Sequence, residues 1–267
     1  MEGTRLPAPQ HERRQRAGGT VISALIPASP VEVDDDALHR IYAYPATEEP
    51  YVRFNFVAAA DGAATSGGLS AGLGNDGDKR IFDVLRRLAD VVLVGAGTIR
   101  AEGYGGPLVD TGAQSWRKAH RLEAHPAVAV ISGSLDLDPD SGFFRDAPVR
   151  PLVLTSGNAP ATRRAELERV ADVVTCGAVT VEAPVVLAEL GRRGLLRVLS
   201  EGGPAVLGDF TRSGCVDELC LSISPLLVGG DGPRISVGTS PGEAASLELA
   251  SLLTEDSALY ALYRRVG

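Results

Sequence analysis

Arg197-Val-Leu-Ser-Glu-Gly-Gly-Pro-Ala-Val-Leu-Gly-Asp-Phe210 is an apolar run that ends in an acid, two glycines and a proline just before a helix-period pattern. It reads as strand, tight turn and helix. Gly202 and Gly203 let the backbone approach a ligand closely, and Pro204 suits the first helical position because its missing N–H would be an orphan there. The free N–H groups at such a helix start face an anion, which makes Ala205, Val206 and Leu207 part of a candidate phosphate cradle. Asp90-Val-Val-Leu-Val-Gly-Ala-Gly-Thr-Ile-Arg100 repeats the logic upstream with Gly95 and Gly97. Two cradles in one chain suggest a dinucleotide. Neither matches the six-residue Rossmann fingerprint, and no acid follows at the usual distance, so an ordinary Rossmann domain is disfavoured. Taken singly, each turn reads equally well as a plain strand-to-helix connection.

Working outward, apolar residues alternate over 51–60, with Val52, Phe54, Phe56 and Ala58 on one face and Tyr51, Arg53 and Asn55 on the other. That predicts a strand with one functional side. Further strands are predicted at 90–94, 127–131, 151–155, 172–176, 197–200, 218–224 and 258–263. Helices are predicted at 33–42, 76–89 with Asp76 as cap, 113–123, 161–170, 181–193 and 205–213. The alternation implies an α/β fold, a largely parallel sheet flanked by helices, and the strand-rich last fifty residues suggest an antiparallel edge. Residues 1 to 19 have no apolar period and read as a flexible tail, which leaves 20–267 as one domain.

The 267 residues carry a formal net charge of −8, and Lys79 and Lys118 are the only lysines. No basic stripe or stacking-aromatic series suits nucleic acid. No apolar run reaches the ~20 residues of a membrane span, and the start lacks a secretory apolar core, so a cytoplasmic enzyme is the default. Cys176, Cys215 and Cys220 match no zinc spacing and sit in apolar surroundings, which reads as structural thiols and no metal.

Ligands of open α/β sheets bind at the carboxyl ends of the strands. Four segments arrive there: Asp61-Gly62, Gly95 to Thr98, Thr155 to Asn158, and Glu201 to Gly203. Asp61 also reads as an ordinary Asp-Gly turn, Glu201 as a helix cap, and Arg80 and Arg86 as a solvated helix face.

Phe56 to Gly62, Asp78 to Gly103, Ser200 to Pro204, Asp217-Glu218-Leu219 and Ser224 to Gly230 together resemble the reductase domain of the bifunctional riboflavin-biosynthesis enzyme over roughly residues 48 to 265. The resemblance implies a dihydrofolate-reductase-like fold, NADPH as cofactor and a homodimer. It puts Val57, Thr98, Glu102 and the turn from Gly203 to Asp209 along NADPH, with Gly95 and Gly97 admitting its approach. Arg86 and Glu201 would face the substrate, with Ser70 beside them. Asp61 falls beside the nicotinamide as the catalytic residue, a proton donor if burial raises its pKa. Arg86, with Arg53 or Arg80, would hold a substrate phosphate. Ser132, Thr155 and Ser156 are candidate partners of the cofactor 2′-phosphate. The deaminase half needs His-x-Glu and Pro-Cys-x-x-Cys, and neither occurs, so the implied protein is a stand-alone reductase.

This sequence departs from the family where the customary serine before Asp-Gly gives way to Ala59 or Ala60, and where the strand-opening lysine is Arg53. The customary Trp-Ile-Thr-Ser is replaced by Ala71-Gly72-Leu73-Gly74-Asn75. That loop touches substrate in the family. The expected activity is NADPH-dependent reduction of 5-amino-6-(5-phosphoribosylamino)uracil, with a dihydrofolate reductase, or a nucleotide-binding regulator that has lost catalysis, as the alternatives.

Overall fold

In the computed structural model, which describes residues 32–240 and 242–266, strand β1 (Tyr51–Ala59) lies between two parallel neighbours and is covered on both faces. Val52 and Phe54 on one face and Arg53 on the other are all fully buried. The one-sided strand expected from its alternation is therefore corrected: a central strand of a parallel sheet has no solvent side.

Helix α2 (Asp76–Leu88) follows, and its N-cap is Asn75 rather than Asp76: the Asn75 side chain accepts the Asp78 N–H. Ile81, Val84 and Leu85 form its buried stripe. Strand β2 (Val91–Gly95) is buried throughout, Val91 and Leu93 facing one core layer and Val94 the other. The chain then passes through α3 (Ala96–Glu102) and α4 (Thr111–Ala119) to β3 (Ala127–Ile131), and through α5 (Gly142–Arg145) to β4 (Leu152–Thr155). Helix α6 (Ala161–Leu167), β5 (Asp172–Thr175) and α7 (Ala183–Arg192) complete this wing.

The chain now returns to the middle. Strand β6 (Arg197–Ser200) slots between β1 and β2, parallel to both, and α8 (Pro204–Arg212) packs Leu207 and Phe210 into the core. Strand β7 (Glu218–Ser224) joins the far side of β1, and β9 (Ala258–Arg265) and β8 (Leu247–Glu255) close that edge antiparallel. The order is β5-β4-β3-β2-β6-β1-β7-β9-β8, a nine-stranded mixed sheet within one α/β unit.

Sequence periodicity missed α3, α5 and the separate strand β8. The first was hidden inside the glycine turn. In β8 a register shift between Leu249 and Ser251 breaks the alternation. The expected tail, 1–19, and the boundary at 20 lie outside the described residues.

Candidate functional site

Strand order reverses where β6 enters between β1 and β2, and the carboxyl ends of these three strands open into a cleft of about 950 Å³. Asn55, Phe56 and Val57 of β1 line it, together with Gly95, Gly97, Thr98 and Glu102, and with Gly203, Pro204, Ala205 and Val206. Asp78, Phe82 and Arg86 of α2, Tyr104, Glu201 and Ser70 complete its polar wall.

The two glycine turns meet. Gly95 N–H donates to the Gly202 carbonyl at 2.7 Å, and a Cβ on Gly95 would stand 3.1 Å from a Val206 methyl and 3.3 Å from Gly203 N. Gly202 has φ +89°, and a Cβ there would stand 2.9 Å from the Phe56 ring. The Gly202–Gly203 peptide is cis. A Cβ on Gly203 would meet Thr98 Oγ1 at 2.8 Å, whereas one on Gly97 would meet nothing within 4 Å and would enter the cleft. The start of α8 has no side-chain cap, which is the setting in which a helix N-terminus takes an anion.

Arg86 donates from Nε and Nη2 to the two oxygens of Glu201, both at 2.7 Å, and Tyr104 Oη donates to Glu201 Oε2 at 2.5 Å. The guanidinium lies 4.1 Å from the Phe82 ring centre. Burial works against the Arg86 charge, but the Glu201 bonds outweigh it and raise its pKa further. Burial, then Glu201, push the Tyr104 phenol up as well. Arg86 thus spends one edge of its fork on a carboxylate, so its charge is largely neutralised before any substrate arrives. Glu102 accepts from Ser70 N–H at 3.1 Å and from its hydroxyl at 2.9 Å, which ties the loop after β1 to α3.

Several expected site residues lie elsewhere. Arg53 donates to Glu218 Oε2 through Nε at 2.7 Å and to the Tyr42 carbonyl at 2.7 Å, under the Tyr44 ring, with no exposure. A buried arginine needs a buried counter-charge, so Arg53 is a structural ion pair and not a substrate ligand. Gly202 contributes through its carbonyl rather than by lining the cleft, and Leu207 is a core side chain. Arg80 pairs with Asp35 on the surface. Ser132, Thr155 and Ser156 are buried outside the cleft lining.

Asp61 is corrected too. It is exposed, and its carboxylate accepts N–H bonds from Val228 and Gly229 at 2.7 Å and from Ala63 at 3.3 Å. The Gly229 bond foremost holds its pKa below the ordinary carboxylate value, the opposite of what a proton donor at neutral pH needs. It clamps the 228–229 segment. A depressed folded-state pKa gives stabilisation that is present above the ordinary value of 3.8 and lost as pH falls through the lower folded value. Asp61→Ala at neutral pH is therefore expected to speed amide exchange at Val228 and Gly229 with cofactor affinity unchanged; protection that persists would remove the clamp.

Phe82, Tyr104 and Asp78 were not anticipated as site residues. The available signal for Tyr104 is an aromatic set among Gly103, Gly105 and Gly106, a turn that holds a ring over the cleft. Among the described residues, no group of three or more His, Cys, Asp or Glu stands ready for a metal, and no helix is long and apolar enough to cross a membrane.

A parallel sheet whose central strands open into a cleft walled by glycine turns defines an α/β domain that binds its ligand at a switch point. The chain belongs to the RibD C-terminal domain family, whose model matches residues 50–259. It is 28% identical over 218 residues to the 2,5-diamino-6-ribosylamino-4(3H)-pyrimidinone 5′-phosphate reductase of Archaeoglobus fulgidus, covering 81% of this chain and 99% of that one. It is 26% identical to the riboflavin biosynthesis protein RibD of Bacillus amyloliquefaciens, covering 81% of this chain and 55% of that one. A pyrimidine reductase-like protein from Corynebacterium diphtheriae superposes with a TM-score of 0.77 at 27% identity, covering 86% of this chain and 99% of that structure. The Archaeoglobus relative is named as a reductase, and a reductase of the riboflavin pathway implies a nicotinamide cofactor.

Proposed function

We propose that this chain is an NADPH-dependent reductase of a ribosylamino-pyrimidine 5′-phosphate, the reaction after which its relatives are named. The observation that carries the reading is the cleft itself: a glycine-walled side with open space at Gly97 shares it with the polar Arg86–Glu201–Tyr104 cluster. The glycine side fits a dinucleotide phosphate, with Gly95, Gly97, Thr98, Pro204, Ala205 and Val206 along it. The polar wall fits a heterocycle with its sugar. Bound there, the dihydronicotinamide supplies a hydride to the first carbon of the opened ribosyl chain. The protein's own contribution is to hold both partners in attack geometry, worth about 7–11 kcal/mol at best.

The test is NADPH and NADH oxidation by the purified protein with the ribosylamino-pyrimidine phosphate and, in parallel, with dihydrofolate. Turnover with the pyrimidine and NADPH is expected. Turnover with dihydrofolate alone would make it a pterin reductase, and cofactor binding without turnover of either would make it a nucleotide-binding regulator.

The edge strand supports a homodimer. Leu247 and Leu249 are 39% and 43% exposed on β8, whose outer backbone groups are open to pairing. Light scattering is expected to give a dimer at micromolar concentration and a monomer for Leu249→Lys; a monomeric native protein would refute it.

A further inference from the structure

Asp78 stands at the third position of α2, where a carboxylate ordinarily turns back to the N-cap amide. It does not turn back. Its Oδ1 accepts instead from the Ser222 hydroxyl of β7 at 2.5 Å, and the side chain lines the cleft. Ser222 is the register partner of Val57, itself a cleft residue, so the carboxyl lies against the β1 side of the site. Room for it is kept by Gly74, whose Cβ would stand 2.7 Å from Asp78 Oδ2.

The cleft holds other acids: Asp76 is exposed at the start of α2, and the two on the far elements are occupied. Glu201 is bound on both oxygens by Arg86 and Tyr104, and Glu102 accepts two bonds from Ser70. The Tyr104 proton is spent on Glu201. Among the described residues no Lys, Arg or His forms an ion pair with Asp78. The titratable groups that face it are the phenols of Tyr260 on β9 and Tyr42 after α1 (Asp35–Ile41), with Glu255 of β8 beside Gly77 and Asp76 on its own helix.

We propose, on the functional reading given above, that Asp78 is the acid of this site and gives the proton that completes reduction of the ribosylamino C=N bond. The carbon gains a C–H bond with the electron pair of the transferred hydride, and the C=N π pair moves to nitrogen. Nitrogen then forms its N–H bond with the Asp78 proton. The substrate is reduced by two electrons, the dihydronicotinamide is oxidised by two, and the Asp78 carboxylate regains a proton from water. Burial raises the Asp78 pKa above the ordinary carboxylate value and outweighs the Ser222 bond, which favours the charged form. Ser222 is a positioning residue that sets where the acid titrates.

Asp78→Asn keeps the shape and removes the proton. Its kcat with the ribosylamino-pyrimidine phosphate is expected to fall about 10²–10⁴-fold with NADPH affinity unchanged, and the alkaline decline of the native kcat should vanish. Ser222→Ala removes a bond to the charged form, so its alkaline decline should move to higher pH, a shift that a merely structural hydroxyl would not cause. An active native enzyme whose Asn variant keeps its turnover, or keeps the alkaline decline, overturns the assignment of Asp78 alone. A native protein that binds NADPH and leaves the pyrimidine unreduced overturns the functional reading and the assignment with it.

Discussion

A Gly203→Val variant is expected to show no saturable quenching or enhancement of NADPH fluorescence up to ~1 mM, the upper end of ordinary cofactor affinities, while its circular dichroism stays native. Gly203 has φ −79° and ψ −169°, an extended conformation that valine adopts, so its own backbone dihedrals need not change and only the Thr98 side chain must give way. What changes is the cradle. The new Cβ would meet Thr98 Oγ1 at 2.8 Å, and its methyls would occupy the side of the cleft where phosphate approaches. Loss of the fold together with binding would make Gly203 a packing residue; a folded variant with native affinity would move the phosphate elsewhere.

The second large effect is on stability. Arg53 and Glu218 have fully buried side chains 2.5 Å apart, and Glu218 also accepts from Arg264 at 2.8 Å. Glu218→Ala would leave the Arg53 guanidinium buried without its counter-charge, a loss of about 3–5 kcal/mol for a broken buried pair. At about 2–4 °C per kcal/mol for a domain of this size, Tm should drop by roughly 10 °C. NADPH affinity measured well below the transition should be unaltered. If the cofactor or substrate KM changes instead and Tm does not, Arg53 belongs to the binding site after all.

That pair explains what sequence reading can and cannot reach here. The strand-turn-helix at 197–210 was legible because glycine, proline and an apolar run each carry a local backbone preference, and the same holds for 90–100. Arg53 was misread because the alternation of β1 is compatible with a solvent face, and only the segment of Tyr42 and Tyr44 packed over Arg53 covers that face. Asp61 failed for a related reason. Its partners, the amides of Val228 and Gly229, come from more than 160 positions away, and no spacing rule reports them. Asp78 carries a capping-box position in sequence, and only the arrival of Ser222 from β7 draws it away from the N-cap.

The placement of β6 between β1 and β2 also sets the order in which this protein can come into being. Residues 51–95 supply two strands of the centre, but the strand that joins them is not made until about a hundred residues later. A ribosome that has released only the first two-thirds of the chain has left β1 without either of its neighbours and β2 open on its β6 side, with no pocket. Such long-range parallel pairing is paid for late in folding. A cut in the exposed stretch before β4 would split the cleft lining between two polypeptides, so cofactor capture would report their reassembly.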